Sequence, residues 1–263
     1  MQDLTITLVQ SDLMWEQPEK NLLYFDEKFK KLKGMQDVIM LPEMFSTGFT
    51  MNVNQFSEDM NGLTVSWMKE KAAELNSVIT GSLIFKNSNK YYNRLVWMNP
   101  DGNCQSYDKR HLFRFGGENE HFSPGENKII IEYKGWRICP LVCYDLRFPV
   151  WARNKYNNDN FEYDLLIYIA NWPEARKLHW QTLLKARAIE NLSYVAGVNR
   201  IGTDGRNTKY SGNSTVVSPR GEIIGEIENN KDETKTVKLS KSDLMQYRGK
   251  FNVALDWDDF QLT

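Results

Sequence analysis

Cysteine is scarce: Cys104, Cys139 and Cys143 are the only three in 263 residues. An odd number cannot all pair, and Cys139 and Cys143 on one extended strand would stand about 13 Å apart at ~3.3 Å per residue, out of disulfide reach. Reduced thiols and a cytoplasmic setting are therefore expected. The three also lack the paired short spacings and flanking histidines of zinc ligand sets, so no metal is expected. No apolar run approaches the ~20 residues that span a bilayer. The opening Met1-Gln2-Asp3-Leu4-Thr5 shows no basic segment followed by an apolar one, so no secretory signal is read there. Excess charge is missing as well: 33 basic against 34 acidic residues give a formal net charge of −1. That balance gives no general reason to expect nucleic acid or an anionic membrane as partner, and leaves a small molecule. No Gly-x-Ser-x-Gly elbow and no phosphate-cradling glycine loop occurs, which argues against a serine hydrolase.

What is present is an ordinary globular composition, 41% hydrophobic and 25% charged, in a length that suits one α/β domain over residues 1–263. Leu4, Ile6 and Leu8 alternate as a first strand, and Trp15-Glu16-Gln17-Pro18 opens a helix with Leu22, Phe25, Phe29 and Leu32 on one face. The apolar run 37–41 reads as a buried strand that ends in Pro42-Glu43. A second helix over 63–76 and a strand over 78–85 continue the β-α alternation. Then Tyr91 to Met98, the turn Asn99-Pro100-Asp101-Gly102 and Cys104 to Tyr107 form a hairpin. A second hairpin joins Lys128–Tyr133 to Trp136–Val142. Two hairpins between helical layers predict mixed sheets rather than a plain doubly wound one.

After Asp164–Ala170, the stretch Glu174–Asn191 is the clearest helix, with Leu178, Leu183, Leu184, Ala186, Ala188, Ile189 and Leu192 at helical spacing. Strands are expected over 193–199, 211–218, 222–227 and 234–239. Ser240 then caps a short helix. The tail 240–263, aromatic and acidic without periodicity toward its end, is expected to pack on a partner subunit.

The character of the chain changes abruptly at Cys143. Ile138, Leu141 and Val142 before it read as a buried strand, and Tyr144-Asp145-Leu146-Arg147-Phe148-Pro149 after it as a polar turn feeding a helix at 148–156. A lone cysteine is most often a small buried hydrophobe. At a strand-to-helix elbow, however, the positive end of the helix and Arg147 would favour thiolate over thiol. Glu43 and Lys109 also follow strands, and strand ends on one sheet edge converge. A carboxylate, an ammonium and a thiol can meet there.

The segments Leu41-Pro42-Glu43-Met44-Phe45, Tyr107-Asp108-Lys109-Arg110-His111-Leu112 and Cys143-Tyr144-Asp145-Leu146-Arg147-Phe148-Pro149 resemble the three signature motifs of the nitrilase, or carbon–nitrogen hydrolase, superfamily. Asn171-Trp172-Pro173, Lys185 to Asn191, Gly197 to Arg200 and Ser218 to Glu222 match as well, so the resemblance spans Leu4 to about Leu239. Within the superfamily, Arg147 to Asn154 and Leu178-His179-Trp180-Gln181 look most like the bacterial YafV-type omega-amidases. The resemblance implies a four-layer α-β-β-α sandwich with two mixed sheets between helical layers. It implies a homodimer that needs no cofactor. The activity implied is hydrolysis of the terminal amide of 2-oxo acids, such as 2-oxoglutaramate and 2-oxosuccinamate, to the 2-oxo dicarboxylate and ammonia through a Cys thioester. Such chemistry would clear the product of glutamine transamination and serve methionine salvage.

By the same resemblance, Cys143 is the nucleophile, Glu43 the proton carrier, and Lys109 with the backbone N–H of Tyr144 the oxyanion partners. Counting back from Ser123-Pro124-Gly125 gives Glu118 as a second glutamate, with Glu120 as the alternative. Arg176 is the candidate for the substrate carboxylate, between Trp172 and Phe113 as apolar walls. Arg147 is expected to brace the elbow through Asp145 or another carboxylate. Three rivals stay open. A Cys–His hydrolase would pair Cys143 with His121, from the three histidines His111, His121 and His179. A sibling amidase would act on carbamoyl-putrescine or N-carbamoyl amino acids. A non-catalytic binding protein would keep the fold without the chemistry.

Overall fold

The computed structural model describes residues 2–32, 34 and 36–260. Twelve strands build its two main sheets: β1 (Leu4–Gln10), β2 (Val38–Met40), β3 (Val78–Asn87), β4 (Lys90–Met98), β5 (Cys104–Asp108), β6 (Ile131–Tyr133), β7 (Trp136–Val142), β8 (Leu165–Ala170), β9 (Tyr194–Asn199), β10 (Thr215–Val217), β11 (Ile223–Glu226) and β12 (Glu233–Leu239). Four helices matter for the layers: α1 (Pro18–Phe29), α2 (Leu63–Leu75), α3 (Lys177–Glu190) and α4 (Lys241–Lys250). The first sheet runs β12-β1-β2-β3-β4-β5 and the second β11-β10-β9-β8-β7-β6. In each, three central strands are parallel (β1, β2, β3 and β7, β8, β9) and the flanking strands antiparallel. The hairpins that break β-α alternation supply those antiparallel edges.

Period-two alternation decides which residues meet between the sheets. Ile6, Leu8, Val38 and Met40 turn inward with Ile138 and Leu141 in one core, whereas Val9, Ile39 and Leu41 turn outward against Leu22 and Phe25 of α1 and Trp67 and Met68 of α2. On the far side, Trp180, Leu184 and Ala188 of α3 join the core of the second sheet. The layer order is thus α-β-β-α, as the resemblance implied.

Several local expectations need correction. The helix after the elbow covers only Pro149–Ala152, and residues 143–147 form a 3-10 turn. The polar stretch beyond it closes a small hairpin, Tyr156–Asn157 with Asn160–Phe161. Lys209–Ser211 pairs with Ile201–Thr203 rather than extending the strand at 215–217. The regular helix α3 begins at Lys177, after a 3-10 turn at Glu174–Arg176. Burial on it follows Trp180, Leu184 and Ala188, four residues apart on one face, and leaves Leu178 and Ile189 exposed. Ser240 does cap α4, its hydroxyl accepting the Asp243 N–H. Gln261 to Thr263 of the tail lie outside the described residues.

Candidate active site

Four strand ends deliver the site, those of β2, β5, β7 and β8. Beyond β2 the chain turns over β3, with Met44 N–H donating to Ser82 Oγ at 2.9 Å and Leu41 N–H to Thr80 O at 2.7 Å. That turn, with Met44 at φ 43, swings Glu43 inward, where it is fully buried rather than facing water. On β4 and β5, Arg94 grips Asp108 with two bonds of 2.7 and 2.8 Å, and Lys109 N–H continues the ladder to Asn93 O at 3.0 Å. Gly125 N–H closes on Lys109 O at 2.9 Å, and a Cβ at position 125 would stand 2.0 Å from Asp108 O, so only glycine fits there.

Lys109 Nζ donates to Glu43 Oε1 at 2.8 Å and to both oxygens of Glu118, at 3.0 and 2.9 Å. Asn93 Nδ2 bridges the same two carboxylates, at 2.7 Å to Glu43 and 3.0 Å to Glu118. Asn171, just past β8, holds Glu43 from the other side: its backbone N–H donates to Oε2 at 2.8 Å and its Nδ2 to Glu43 O at 2.6 Å. Phe113 N–H donates to Glu118 Oε2 at 2.5 Å. Glu118 is fully buried against Lys109, while Glu120 is exposed. Asn93 escaped the sequence reading, since one asparagine on a hairpin strand carries no chemical signature. Asn171 stood in a matched segment without a role.

Cys143 sits in the left-handed region at φ 44, where a non-glycine residue is strained, and is 8% exposed. Its Sγ lies 3.9 Å from Asn171 O. The surroundings of the sulfur oppose the expected resting thiolate. Burial pushes the thiol well above its ordinary value, and the Glu43 carboxylate, which it faces, pushes it further; Lys109 opposes both and loses. The reason is plain in the geometry. Lys109 is already shared by two carboxylates, and the element after the elbow is a 3-10 turn and a four-residue helix, too short for a substantial dipole. For Lys109 burial pulls the pKa down, but Glu118 and Glu43 outweigh it and hold the ammonium charged. Burial lifts the Glu118 carboxyl, partly offset by Lys109.

A cavity of about 360 Å³ opens over this cluster, lined by Glu43, Lys109, Cys143, Tyr144, Phe113 and Trp172, with Arg147, Arg176 and Arg206 among its polar walls. Phe113 and Trp172 stand where a substrate wall was expected. Arg147 does not. The Asp145 carboxylate is occupied by Tyr107, His111 and Val142 N–H, so Arg147 instead lies 4.7 Å over the Trp172 ring, donates to His179 Nδ1 at 3.1 Å and faces the cavity. Arg176 lies 5.4 Å from the Phe113 ring. Neither arginine has a carboxylate partner among the described residues. Burial lowers the Arg147 pKa, and the nearby Arg176 charge adds to that. No histidine lines the cavity: His111 is bound to Asp145, His179 to Arg147, and His121 is exposed on a short helix. The Cys–His rival thus has no base at the nucleophile.

The arrangement suits acyl transfer: a protonated thiol beside a carboxylate, a charged ammonium, and a polar mouth of opposite sign to the inner carboxylates. The carbon-nitrogen hydrolase family signature matches residues 5–249. Over 262 residues the chain is 46% identical to the omega-amidase YafV of Escherichia coli (strain K12), covering 100% of both. It is 30% identical to the 2-oxoglutaramate amidase of Bacillus subtilis (strain 168) over 225 residues, 84% of this chain and 85% of that one. Its structure is similar to that of XC1258 from Xanthomonas campestris, a CN-hydrolase superfamily protein with an arsenic adduct in the active site, with a TM-score of 0.97, 43% identity and full coverage of both chains. By its motifs, its layers and these likenesses, the chain belongs to the carbon–nitrogen hydrolase family.

Proposed function

We propose that the protein is an omega-amidase: it hydrolyses the terminal amide of 2-oxo acids such as 2-oxoglutaramate and 2-oxosuccinamate, giving the 2-oxo dicarboxylate and ammonia. The observation that carries this reading is one cavity with Cys143, Glu43 and Lys109 at its inner end and two carboxylate-free arginines, Arg147 and Arg176, on its walls. The likeness to an omega-amidase and to a 2-oxoglutaramate amidase supports the substrate class.

In the first half-reaction Glu43 takes the Cys143 proton as sulfur attacks the amide carbon. The carbonyl electrons move to oxygen, and Lys109 with the Tyr144 N–H faces that oxyanion. Glu43 then gives the proton to nitrogen, the C–N bond breaks and ammonia leaves a thioester. In the second half-reaction Glu43 takes a proton from water, hydroxide attacks the thioester, and the C–S bond breaks as the proton returns to sulfur. Glu118 positions Lys109 from the side opposite Glu43. The product gains a carboxylate beside Glu43 and Glu118, and like charge favours its departure.

Arg176 and Arg147 would hold the substrate carboxylate, with Phe113 and Trp172 as walls. Replacing either arginine by methionine should raise KM for 2-oxoglutaramate about 10-fold or more while kcat changes little, because a charge-assisted bond worth ~1.5–3 kcal/mol is lost from ground and transition state alike. Initial-rate measurements over a range of substrate concentrations check this.

The chemistry needs a reduced thiol, and all three cysteines are free, which fits a reducing cytoplasm. Leu178 and Ile189 of α3 are exposed, and a homodimer would associate through that helix. The test of function is ammonia release from 2-oxoglutaramate, glutamine, asparagine, N-carbamoyl amino acids, carbamoyl-putrescine and a nitrile. The 2-oxo acid amide should have the highest kcat/KM, and iodoacetamide should abolish it. A preference for a carbamoyl compound would move the protein to a sibling amidase, and no ammonia from any substrate would leave a binding protein.

A further inference from the structure

Cys143 holds a strained backbone conformation at the meeting of two sheets, and something must keep it there. The groups that do so converge on Asp145, a fully buried carboxylate two residues on. Its Oδ2 accepts the Val142 N–H at 3.1 Å, so the side chain closes a ring around the elbow that presents the thiol. The same oxygen accepts Tyr107 OH at 2.8 Å, and Oδ1 accepts the His111 N–H at 3.0 Å and lies 2.8 Å from His111 Nδ1. Tyr107 and His111 stand two residues either side of Lys109. Trp151 Nε1 donates to Tyr107 OH at 3.0 Å, and the His111 ring stacks on Phe148 with centroids 3.7 Å apart.

We propose that Asp145 and His111 are a positioning clamp that sets the separation of Lys109 from Cys143. One carboxylate binds the segment that carries the ammonium to the elbow that carries the sulfur, although the two belong to different sheets. His111 is the adjustable member: its Nδ1 acts as donor to Asp145, and its ring keeps the elbow from sliding along Phe148. Neither residue lines the cavity, so the clamp acts through Lys109 and Cys143 and not on substrate.

The inference rests on the amidase reading, and its test separates the two. His111→Ala should lower kcat for 2-oxoglutaramate about 10- to 100-fold, with KM within about twofold, since a misplacement of ~1 Å costs rate on that scale. His111→Asn, whose Nδ2 can take the place of Nδ1–H, should recover most of the loss, whereas His111→Phe, which keeps the stacking and loses the donor, should not. Amide hydrogen exchange across residues 142–147 should speed up in His111→Ala and His111→Phe and stay near wild type in His111→Asn. If His111→Ala does not fold, the comparison of His111→Asn with His111→Phe decides alone. Equal activity and equal exchange in those two would overturn the clamp. So would a kcat deficit that vanishes once rates are normalised to titratable Cys143. A wild-type protein that releases no ammonia would sink the amidase reading and leave the exchange measurement to judge the clamp.

Discussion

Glu43→Gln should cost about 10³-fold in kcat, within the range expected for removing a general acid–base group, and yet make Cys143 easier to alkylate at alkaline pH. The two effects have one origin. Burial and the Glu43 charge both hold the thiol above its ordinary pKa, so the resting wild-type sulfur is protonated and iodoacetamide inactivation should accelerate as pH rises from 7. Neutral glutamine removes one of the charges that suppress the thiolate, and leaves Lys109 with one carboxylate instead of two. The thiol pKa falls and alkylation at pH 9 outruns wild type, while hydrolysis stays dead because nothing carries the proton to nitrogen. Glutamine also turns an amide N–H toward the donors that Glu43 accepted, from Lys109, Asn93 and Asn171, and one unsatisfied group should lower stability by about 1–3 kcal/mol. Ammonia release and inactivation rates from one preparation check both parts. Retention of hydrolysis within tenfold would remove Glu43 from its role.

Lys109→Met should lower kcat/KM about 10²- to 10³-fold, the scale seen when an oxyanion partner is removed. It should also destabilise the fold by about 3–5 kcal/mol, because Glu43 and Glu118, both fully buried, would lose the cation between them. That loss depends on pH in a defined direction. Burial already raises the Glu118 carboxyl, and without Lys109 it rises further, so the folded variant binds protons more tightly than the unfolded chain. Stability from such a group is present below the ordinary carboxylate range, near pH 4.3, and is lost as pH climbs through the raised folded value. Urea midpoints of the variant should therefore approach wild type at pH 5 and fall away toward pH 8. A deficit that grew on acidification would contradict the buried, lysine-neutralised carboxylate pair.

Most of the strands, and the meeting of Glu43, Lys109 and Cys143 at one cavity, were legible because each rests on short-range pattern. Val38 to Leu41 and Ile138 to Val142 are apolar runs of strand length, and Glu43, Lys109 and Cys143 stand immediately after strands within motifs that chemistry constrains to a fixed spacing. Glu118 was legible only as a count back from Ser123-Pro124-Gly125, and its burial against Lys109 was visible only in the fold. Arg147 was misjudged for a different reason. Its neighbour Asp145 looked like its natural partner, but two residues of separation on a tight turn point the side chains apart, and Tyr107 and His111 reach the carboxylate from another sheet. Leu178 and Ile189 are exposed although they share the helical spacing of the buried Leu184 and Ala188, because spacing specifies a helix but not which stripe faces the sheet.

From the amino-acid order alone came most of the strands and helices, the mixed character of the sheets, the candidate residues Glu43, Lys109 and Cys143, and the family. All of these depend on neighbours within a few positions, or on short motifs of fixed spacing. Only the tertiary structure showed the burial of the thiol beside Glu43, the arginines that face the cavity, the asparagines that hold Glu43, and the bonds by which Asp145 ties His111 and Tyr107 to the elbow. Those depend on desolvation and on charges brought within a few ångströms from strands far apart in the chain, which no local pattern encodes.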